Sequence, residues 1–252
     1  MRTEEWISLL QEQTADDEER RLLKCGLPLG VGAAGETVVS QKREHPYIAR
    51  LTCVTGGKRS AFIKRFIMTL SYFYPQSEAN FLILSPRADY GDLLRLKGAD
   101  ISSLYIQSKG DLESAKGCVK ELLKLYAESK GCPRLFLVLD GLEELEGCNE
   151  NGDLEEYREF AELLAREKNA DLIVGAELMR SIFSGNPGVF AGVGNCLVTT
   201  REDGKADVTY VGDDFSLSLP TTLTFPDSPS MTESVILFNS LKKSGVEPDE
   251  EQ

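Results

Sequence analysis

The chain has little of what metal and disulfide sites are made from. It contains one histidine, His45, and none of its six cysteines belongs to a Cys-x-x-Cys pair. A zinc site needs a closer group of ligands than this. Scattered cysteines of this kind are typical of reduced thiols in a cytosolic protein. His45 precedes a proline and has no nucleophile paired with it in the sequence, so we expect a turn histidine and neither a zinc site nor histidine catalysis.

Long apolar runs are also missing. No stretch reaches the roughly 20 residues that a membrane-spanning helix requires. The first 23 residues lack the apolar core of a signal peptide and include a charged block at 16–21. The sequence therefore predicts a cytoplasmic protein without membrane insertion, which could reach the inner face of a membrane only through a partner.

Basic residues are scarce relative to acidic ones. There are 28 Lys and Arg against 41 Asp and Glu, for a formal net charge of -13. Because nucleic acids are bound by cations that neutralise phosphates, we do not expect this chain alone to bind them. The acidity favours solubility or a basic protein partner. With 41% hydrophobic residues in 252, the chain is long enough for one large α/β domain or two small ones.

Strand and helix signals alternate through the middle of the chain. Runs rich in apolar and β-branched residues predict strands at 47–55, 81–84, 101–107, 135–139 and 171–176. Apolar residues at helical spacing predict helices at 60–74, 111–128 and 153–168. This alternation predicts right-handed βαβ units, and therefore an α/β fold with a mostly parallel sheet flanked by helices.

The two ends of the chain have a different character. Residues 3–24 predict a helical surface arm, and the glycine-rich residues 26–35 predict a flexible loop before a short β-prone stretch. Residues 196–211 predict an antiparallel hairpin around the turn Glu-Asp-Gly-Lys, placed at the edge of the sheet. The predicted division is an N-terminal arm at 1–25, a main domain at 26–228, and a C-terminal helix with an acidic tail at 229–252.

The first chemical motif follows the strand predicted at 47–55. It is Thr55, Gly56, Gly57, Lys58, Arg59 and Ser60. In a phosphate loop, glycines let backbone N–H groups approach a phosphate, a lysine reaches the terminal phosphates, and a Ser or Thr hydroxyl binds magnesium. The position between strand and helix fits this role, but the pattern GxxxxGK[ST] does not occur. A glycine turn with two incidental cations explains the local sequence equally well.

The second motif is Asp140, at the end of the most apolar predicted strand. An aspartate in this position holds magnesium in P-loop enzymes, although Asp140-Gly141 is also ordinary turn chemistry. The carboxyl ends of parallel strands meet at one edge of a sheet, where ligands bind. We therefore expect Gly56, Gly57 and Asp140 to lie close together.

In order and spacing, residues 27–226 resemble the FtsK/SpoIIIE motor domain, and most of all the tandem ATPase modules of type VII secretion proteins. Residues 53–60 align without gaps with the family's GxTGSGKS. Four further segments resemble family segments: Leu-Pro-Leu-Gly at 27–30, the second strand with its Ser-Pro-Arg at 81–87, the Walker B strand and turn at 135–145, and the sensor strand at 171–176.

The resemblance implies a RecA-like P-loop NTPase fold with ATP and Mg²⁺ as cofactors. It places the nucleotide on Thr55, Gly56, Gly57, Lys58, Arg59 and Ser60, and the metal on Ser60 and Asp140.

The phosphate-loop and Walker B segments depart from the family pattern. Cys53 replaces the first glycine, Lys58 the last glycine, Arg59 the lysine and Gly141 the catalytic glutamate. A side chain at Lys58 crowds the approach of the backbone to phosphate, and the planar fork of Arg59 does not copy an ammonium group. Gly141 cannot orient an attacking water. We therefore expect ATP hydrolysis to be very slow or absent, while binding of ATP and magnesium is left open.

The resemblance thus implies a degenerate module with a structural, regulatory or substrate-recognition role in a secretion or translocation machine. Its partners would be sister ATPase modules or secretion substrate proteins, and a homo-oligomer is left open. The alternative is an active ATP-driven motor that translocates DNA or protein. Glu143, Glu144 and Glu146 could offer an acid near the site, although the solvated face of a turn is the favoured interpretation. Arg180 and Arg201 could act as fingers across a subunit contact, although a surface role is favoured for each.

Overall fold

The computed structural model describes residues 4–6, 8, 28–35, 37–39, 50–74, 77–129, 133–146, 155–164, 167, 169–177, 194–211, 219–225 and 231–244. The strands are β1 Pro28–Gly32, β2 Thr37–Val39, β3 Arg50–Thr55, β4 Ala79–Ser85, β5 Asp100–Tyr105, β6 Arg134–Asp140, β7 Ala170–Gly175, β8 Gly194–Thr200, β9 Lys205–Val211 and β10 Thr221–Thr224. The helices are α1 Arg59–Phe73, α2 Lys109–Glu128, α3 Glu155–Leu164 and α4 Met231–Ser244, with 3₁₀ segments at Ala88–Arg95 and Leu142–Glu144.

All ten strands belong to one sheet, in the order β2-β1-β10-β9-β8-β3-β7-β6-β4-β5. The six strands from β8 to β5 in this order are parallel to one another. Strand β6 is buried along nearly its whole length, which is typical of a parallel strand covered by helices on both faces. The predicted mostly parallel α/β sheet is confirmed.

The remaining strands continue the sheet in antiparallel pairs. Strands β8 and β9 form the predicted hairpin, which flanks the parallel strands as expected. The sheet continues beyond this hairpin through β10, β1 and β2. The hairpin therefore lies at the edge of the parallel part and inside the complete sheet.

The prediction of a flexible loop at 26–35 is wrong for the residues of β1, because this strand pairs with both β2 and β10. Gly30 is used here for close packing. A Cβ atom at Gly30 would lie 2.7 Å from Leu223 Cδ1 and 2.8 Å from the Thr224 carbonyl oxygen. A glycine that permits such an approach looks, in sequence, like one that confers flexibility.

Helices cover both faces of the sheet and each face has its own apolar cluster. One cluster is formed mainly under α1, and the other under α2 and α3. On the first face, residues 4–6 and 8 are helical, and Trp6 is buried and donates a hydrogen bond from Nε1 to Thr69 Oγ1 at 2.8 Å. The start of the predicted arm is thus packed against α1. Within the described part of the chain, no helix is both long and apolar enough to cross a membrane.

Helix α2 begins close to its predicted position with a capping box, in which Ser108 accepts from the Asp111 backbone and Asp111 from that of Ser108. Helix α3 confirms the centre of the helix predicted at 153–168. The start of that predicted helix, at 153–154, lies outside the described residues, as do His45, most of the arm and the acidic tail.

Candidate functional site

The glycine turn after β3 is shaped by the end of β8. Gly56 has a left-handed backbone with φ 97°, and a Cβ atom there would lie 2.3 Å from the Thr200 carbonyl oxygen. Thr200 Oγ1 donates to the Thr55 carbonyl at 2.7 Å, and Thr55 Oγ1 donates to the Glu177 carbonyl at 3.2 Å. Both the backbone angle and the close contact therefore require glycine at position 56.

Helix α1 starts directly after this turn. Lys58 is its N-cap, with φ -104° and ψ 21°, and makes no side-chain capping bond; no acidic residue occupies the first turn. An uncapped helix start leaves N–H groups that favour an anion. This feature of a phosphate loop is present. The backbone angles at Lys58 are open to any residue, so the turn does not require glycine at this position.

Arg59 does not point out of the loop. Only 3% of the residue is exposed, and its guanidinium lies against the end of β6. Nε is 3.2 Å from Asp140 Oδ1, and Nη1 is 2.8 Å from Glu143 Oε1. Nη2 is 3.2 Å from Glu144 Oε1, and Glu177 is more distant, at 3.9 Å. Arg59 is thus the central cation of a carboxylate cluster.

Asp140 is fully buried and is held by groups of the same chain. Its Oδ2 accepts hydrogen bonds from Ser60 Oγ at 2.7 Å and from the Tyr90 hydroxyl at 2.8 Å. Oδ1 makes no hydrogen bond of good geometry with the described residues, so its contact with Arg59 is mainly electrostatic. Burial raises the pKa of Asp140 above its ordinary value, although Ser60, Tyr90 and Arg59 act in the opposite direction.

Gly175 gives Asp140 the space that it occupies. The two residues are register partners on β6 and β7. A Cβ atom at Gly175 would lie 2.2 Å from Asp140 Oδ1 and 2.7 Å from Ile63 Cδ1. The glycine that ends β7 therefore permits the aspartate to turn inward.

Glu143 is fixed by a second set of contacts. The Tyr157 hydroxyl donates to Glu143 Oε2 at 2.6 Å and accepts from the Leu142 backbone at 2.8 Å. The Glu177 backbone donates to Glu143 Oε1 at 3.1 Å. Burial raises the pKa of Tyr157, and the nearby Glu143 carboxylate raises it further. With a side chain that is 10% exposed, Glu143 is an internal ion-pair partner, so its interpretation as a surface group is wrong.

Arg87 closes the cluster on the side of β4. It donates from Nε to Glu144 Oε2 at 3.1 Å and from Nη1 to Ser60 Oγ at 3.3 Å, and it makes a second contact with Glu144. The hydrogen bond that Arg87 donates to Glu144 raises the pKa of Arg87. Glu144 is exposed, in agreement with its interpretation as a surface group, and it is also bound by two arginines. Glu146 is exposed as well.

Sequence reasoning did not assign Arg87, Tyr90 or Tyr157 to the site. Arg87 offered a signal, because it follows β4 and the carboxyl ends of parallel strands meet at one edge. Tyr90 and Tyr157 reach the site from a 3₁₀ segment and from α3, and no local pattern indicates this. Arg201 lies at the surface and pairs with Asp203 at 3.0 Å, in agreement with its interpretation, and Arg180 lies outside the described residues.

Gly141, at the position of the family's catalytic glutamate, has a left-handed backbone with φ 78°. A Cβ atom there would lie 3.3 Å from Glu144 Oε1 and 3.5 Å from Arg59 Nη2. A glutamate at this position would be strained by the backbone and crowded by the cluster. The turn after β6 is therefore built for glycine.

As arranged, these residues do not fit a magnesium–nucleotide. The guanidinium of Arg59 lies against the carboxylate that would accept from magnesium-bound water, and Tyr90 takes another of its positions. Glu202 Oε1 lies 2.3 Å from where a Cβ atom of Gly57 would be, so a carboxylate lies against the glycine turn. Among the described residues, no group of three or more His, Cys, Asp or Glu is arranged to hold a metal ion.

Comparison with known proteins gives relatives by structure only. No protein-family model matches the sequence, and no curated protein is similar enough to match. The cytoplasmic domain of the type VII secretion ATPase EccC of Thermomonospora curvata superposes with a TM-score of 0.56 at 14% identity, over 86% of this chain and 31% of that one.

Two further solved structures also superpose on this chain. ATPases 2 and 3 of the same EccC, in complex with a signal sequence peptide, give a TM-score of 0.54 at 13% identity, over 82% of this chain and 41% of that one. ATPases 2 and 3 of EssC from Geobacillus thermodenitrificans give 0.50 at 14% identity, over 89% of this chain and 50% of that one. The chain thus spans half or less of each of these three structures, and its fold is that of their ATPase domains. The predicted RecA-like P-loop fold and the resemblance to these modules are confirmed at the level of fold.

Proposed function

We propose that this chain is an ATPase-fold module that does not hydrolyse ATP and serves a structural, regulatory or substrate-recognition role in a secretion or translocation machine. The observation that carries the proposal is the burial of Arg59 against Asp140 and Glu143. A cation supplied by the chain neutralises the aspartate that, in a working P-loop enzyme, serves magnesium.

The chemistry of water activation supports the same proposal. Gly141 carries no carboxylate, and the nearest alternatives, Glu143 and Glu144, are ion-paired with arginines. A general base has to be free to accept a proton from water at the reacting phosphate. These two carboxylates are instead engaged in holding Arg59 and Arg87.

The proposed partners follow from the proteins of similar fold. Each matched EccC or EssC structure is longer than this chain, and two of them contain two ATPase domains. We propose that this module acts beside sister ATPase modules or recognises secretion substrates, as a cytoplasmic domain. We further propose the division into an arm at 1–25, a domain at 26–228 and a C-terminal helix and tail at 229–252, in which Trp6 joins the arm to α1.

The test is calorimetry with ATP and magnesium, paired with a phosphate-release assay, on the full chain. The proposal expects no binding in the sub-millimolar range and no release above the protein-free rate. Sub-millimolar binding that is lost in Asp140→Ala would refute a module without nucleotide. Turnover that is abolished in Arg59→Ala, while circular dichroism shows that the variant is folded, would favour the alternative, an active motor.

A further inference from the structure

The two outer edges of the sheet differ in a way that bears on assembly. Edge strands present unpaired N–H and C=O groups, and proteins protect them with short strands, lysine, proline or bulges. At one edge, β2 has three residues, whereas β5 at the other edge has six. The sequence of β5, Asp-Ile-Ser-Ser-Leu-Tyr, contains no lysine or proline, and its only charged residue, Asp100, stands at its start.

The direction of the backbone groups in β5 follows from its pairing with β4. Ser85 is the register partner of Tyr105, and the Ile106 N–H donates to the Ser85 carbonyl at 2.9 Å. In a parallel pair, alternate residues face the neighbouring strand. Ile101, Ser103 and Tyr105 therefore direct their N–H and C=O groups outward, where no described residue forms a hydrogen bond with them.

Apolar side chains are exposed along the same edge. Leu104 is 41% exposed and Tyr105 55% exposed, and both are among the largest exposed apolar residues of the described chain. Ile101 and Ser103 are half-buried, and Ile101 packs against the cluster under α1. The edge thus combines open hydrogen-bonding groups with uncovered apolar surface.

We propose that β5 is the self-association surface of this protein, and that it pairs antiparallel with β5 of a second copy about a twofold axis at Ser103. Outward-facing residues can oppose only outward-facing residues, so this register places Ile101 opposite Tyr105 of the other copy and forms about six backbone hydrogen bonds. Aromatic and β-branched residues that face each other across strands stabilise a sheet. Asp100 then faces Ile106, so no like charges are opposed.

The symmetry of the outward residues favours a copy of this chain over an unrelated strand. A twofold interface requires one surface to be complementary to itself. With the axis at Ser103, Ile101 of each copy faces Tyr105 of the other and Ser103 faces Ser103, so the outward residues of β5 meet this requirement. The net charge of -13 repels copies of the chain in any orientation, and β5, which is almost free of charge, adds little to this repulsion. Because one edge strand buries less than a standard interface of about 1,600 Å², the dimer is weak and depends on concentration.

The test is sedimentation equilibrium of the full chain across a wide concentration range, with charge variants at the axis. Ser103→Lys and Ser103→Glu each place two like charges face to face in the dimer, so each is expected to weaken association by about two- to fivefold. An equimolar mixture of the two is expected to restore a heterodimer. Ser114→Lys and Ser114→Glu, on the exposed face of α2, change the net charge equally and are expected to associate like the wild type.

Circular dichroism checks that each variant is folded. A wild-type chain that stays monomeric at several hundred micromolar overturns the proposal and leaves the edge to a strand of another protein. Association that is indifferent to both Ser103 variants also overturns it, because the copies then meet through another surface. The proposal does not depend on nucleotide binding, so it stands or falls separately from the proposed function.

Discussion

An arginine–aspartate pair lies at each end of the strands β6 and β7, and the two pairs are built differently. At the amino ends, Arg134 binds Asp171 through two nitrogen atoms, with Nη2 to Oδ1 at 2.9 Å. At the carboxyl ends, Arg59 lies within 4 Å of four carboxylates, those of Asp140, Glu143, Glu144 and Glu177.

Under the proposed function, the difference separates a structural pair from a site that has lost its nucleotide. One bidentate carboxylate is enough to satisfy a guanidinium in a partly buried position, as for Arg134. The carboxyl end instead gathers four carboxylates around one guanidinium, at the edge where α/β sheets bind ligands. We infer that the acids persist from such a site and that Arg59 replaces the cation they would otherwise share with a nucleotide.

The largest expected effect is that of removing Arg59. Arg59→Ala leaves Asp140 and Glu143 without their main cation, and breaking a buried ion pair in this way costs about 3–5 kcal/mol. Urea denaturation at neutral pH measures the change in the free energy of unfolding. Arg201→Ala, which removes an exposed pair, is the matched control and should change stability by less than about 1 kcal/mol. Equal losses in the two variants would contradict the central role of Arg59.

The second prediction compares rescue at the two ends. Arg134→Ala should also destabilise, because it leaves the Asp171 carboxylate buried, and adding Asp171→Asn should recover most of the loss. Adding Asp140→Asn to Arg59→Ala should recover less than half, because Glu143 stays unpaired. Double-mutant cycles in urea measure how much unfolding free energy each second substitution restores. The expected difference between the two ends is about 2 kcal/mol. Equal recovery would make the two pairs equivalent.

The third prediction concerns the space beside Asp140. Gly175→Ala places a methyl group in contact with Asp140 and Ile63, and overpacking of this kind costs about 1–3 kcal/mol. Gly117→Ala is the control, because an added Cβ there meets nothing within 4 Å on α2 and should stabilise the helix by about 0.5–1 kcal/mol. Thermal unfolding of the two variants measures both changes in stability. If Gly175→Ala is as stable as the wild type, Asp140 is not confined by the space at Gly175.

The smallest effect is a pH dependence. In the folded state the pKa of Asp140 lies above its ordinary value of 3.8. At a pH between 3.8 and the folded pKa, Asp140 is therefore protonated to a greater extent in the folded chain than in the unfolded chain. The stability that this proton contributes is present at low pH and lost as pH rises above 3.8 through the folded pKa. Relative to Asp140→Asn, the wild type should therefore lose unfolding free energy between pH 4 and 7. A wild type that instead gains unfolding free energy relative to Asp140→Asn as the pH rises would contradict the raised pKa of Asp140.

Much of the fold could be predicted because apolar runs and turn residues are local signals. Strands β3, β4, β6 and β7 coincide with predicted runs, and the hairpin of β8 and β9 follows from its turn. Strand β1 could not be predicted, because its glycines read as a loop until β10 packs against Gly30. Predicting its place would have required the partner strand, which is 190 residues or so further along the chain.

The site was predicted in part. The parallel sheet brings Ser60 and Asp140 together, as expected for strand ends at one edge. The direction of Arg59 could not be predicted, since it depends on Glu143 being held by Tyr157 from α3. Sequence patterns place a residue on an element, whereas the partner of a long charged side chain depends on tertiary packing.

The most direct measurement is a crystal structure of the full chain grown with millimolar ATP and magnesium. We predict that Arg59 stays against Asp140 and Glu143 and that no triphosphate lies over Gly56 and Ser60. A structure in which Arg59 has turned outward, with a triphosphate over the glycine turn and magnesium between Ser60 and Asp140, would contradict the replacement of the nucleotide's cation by Arg59.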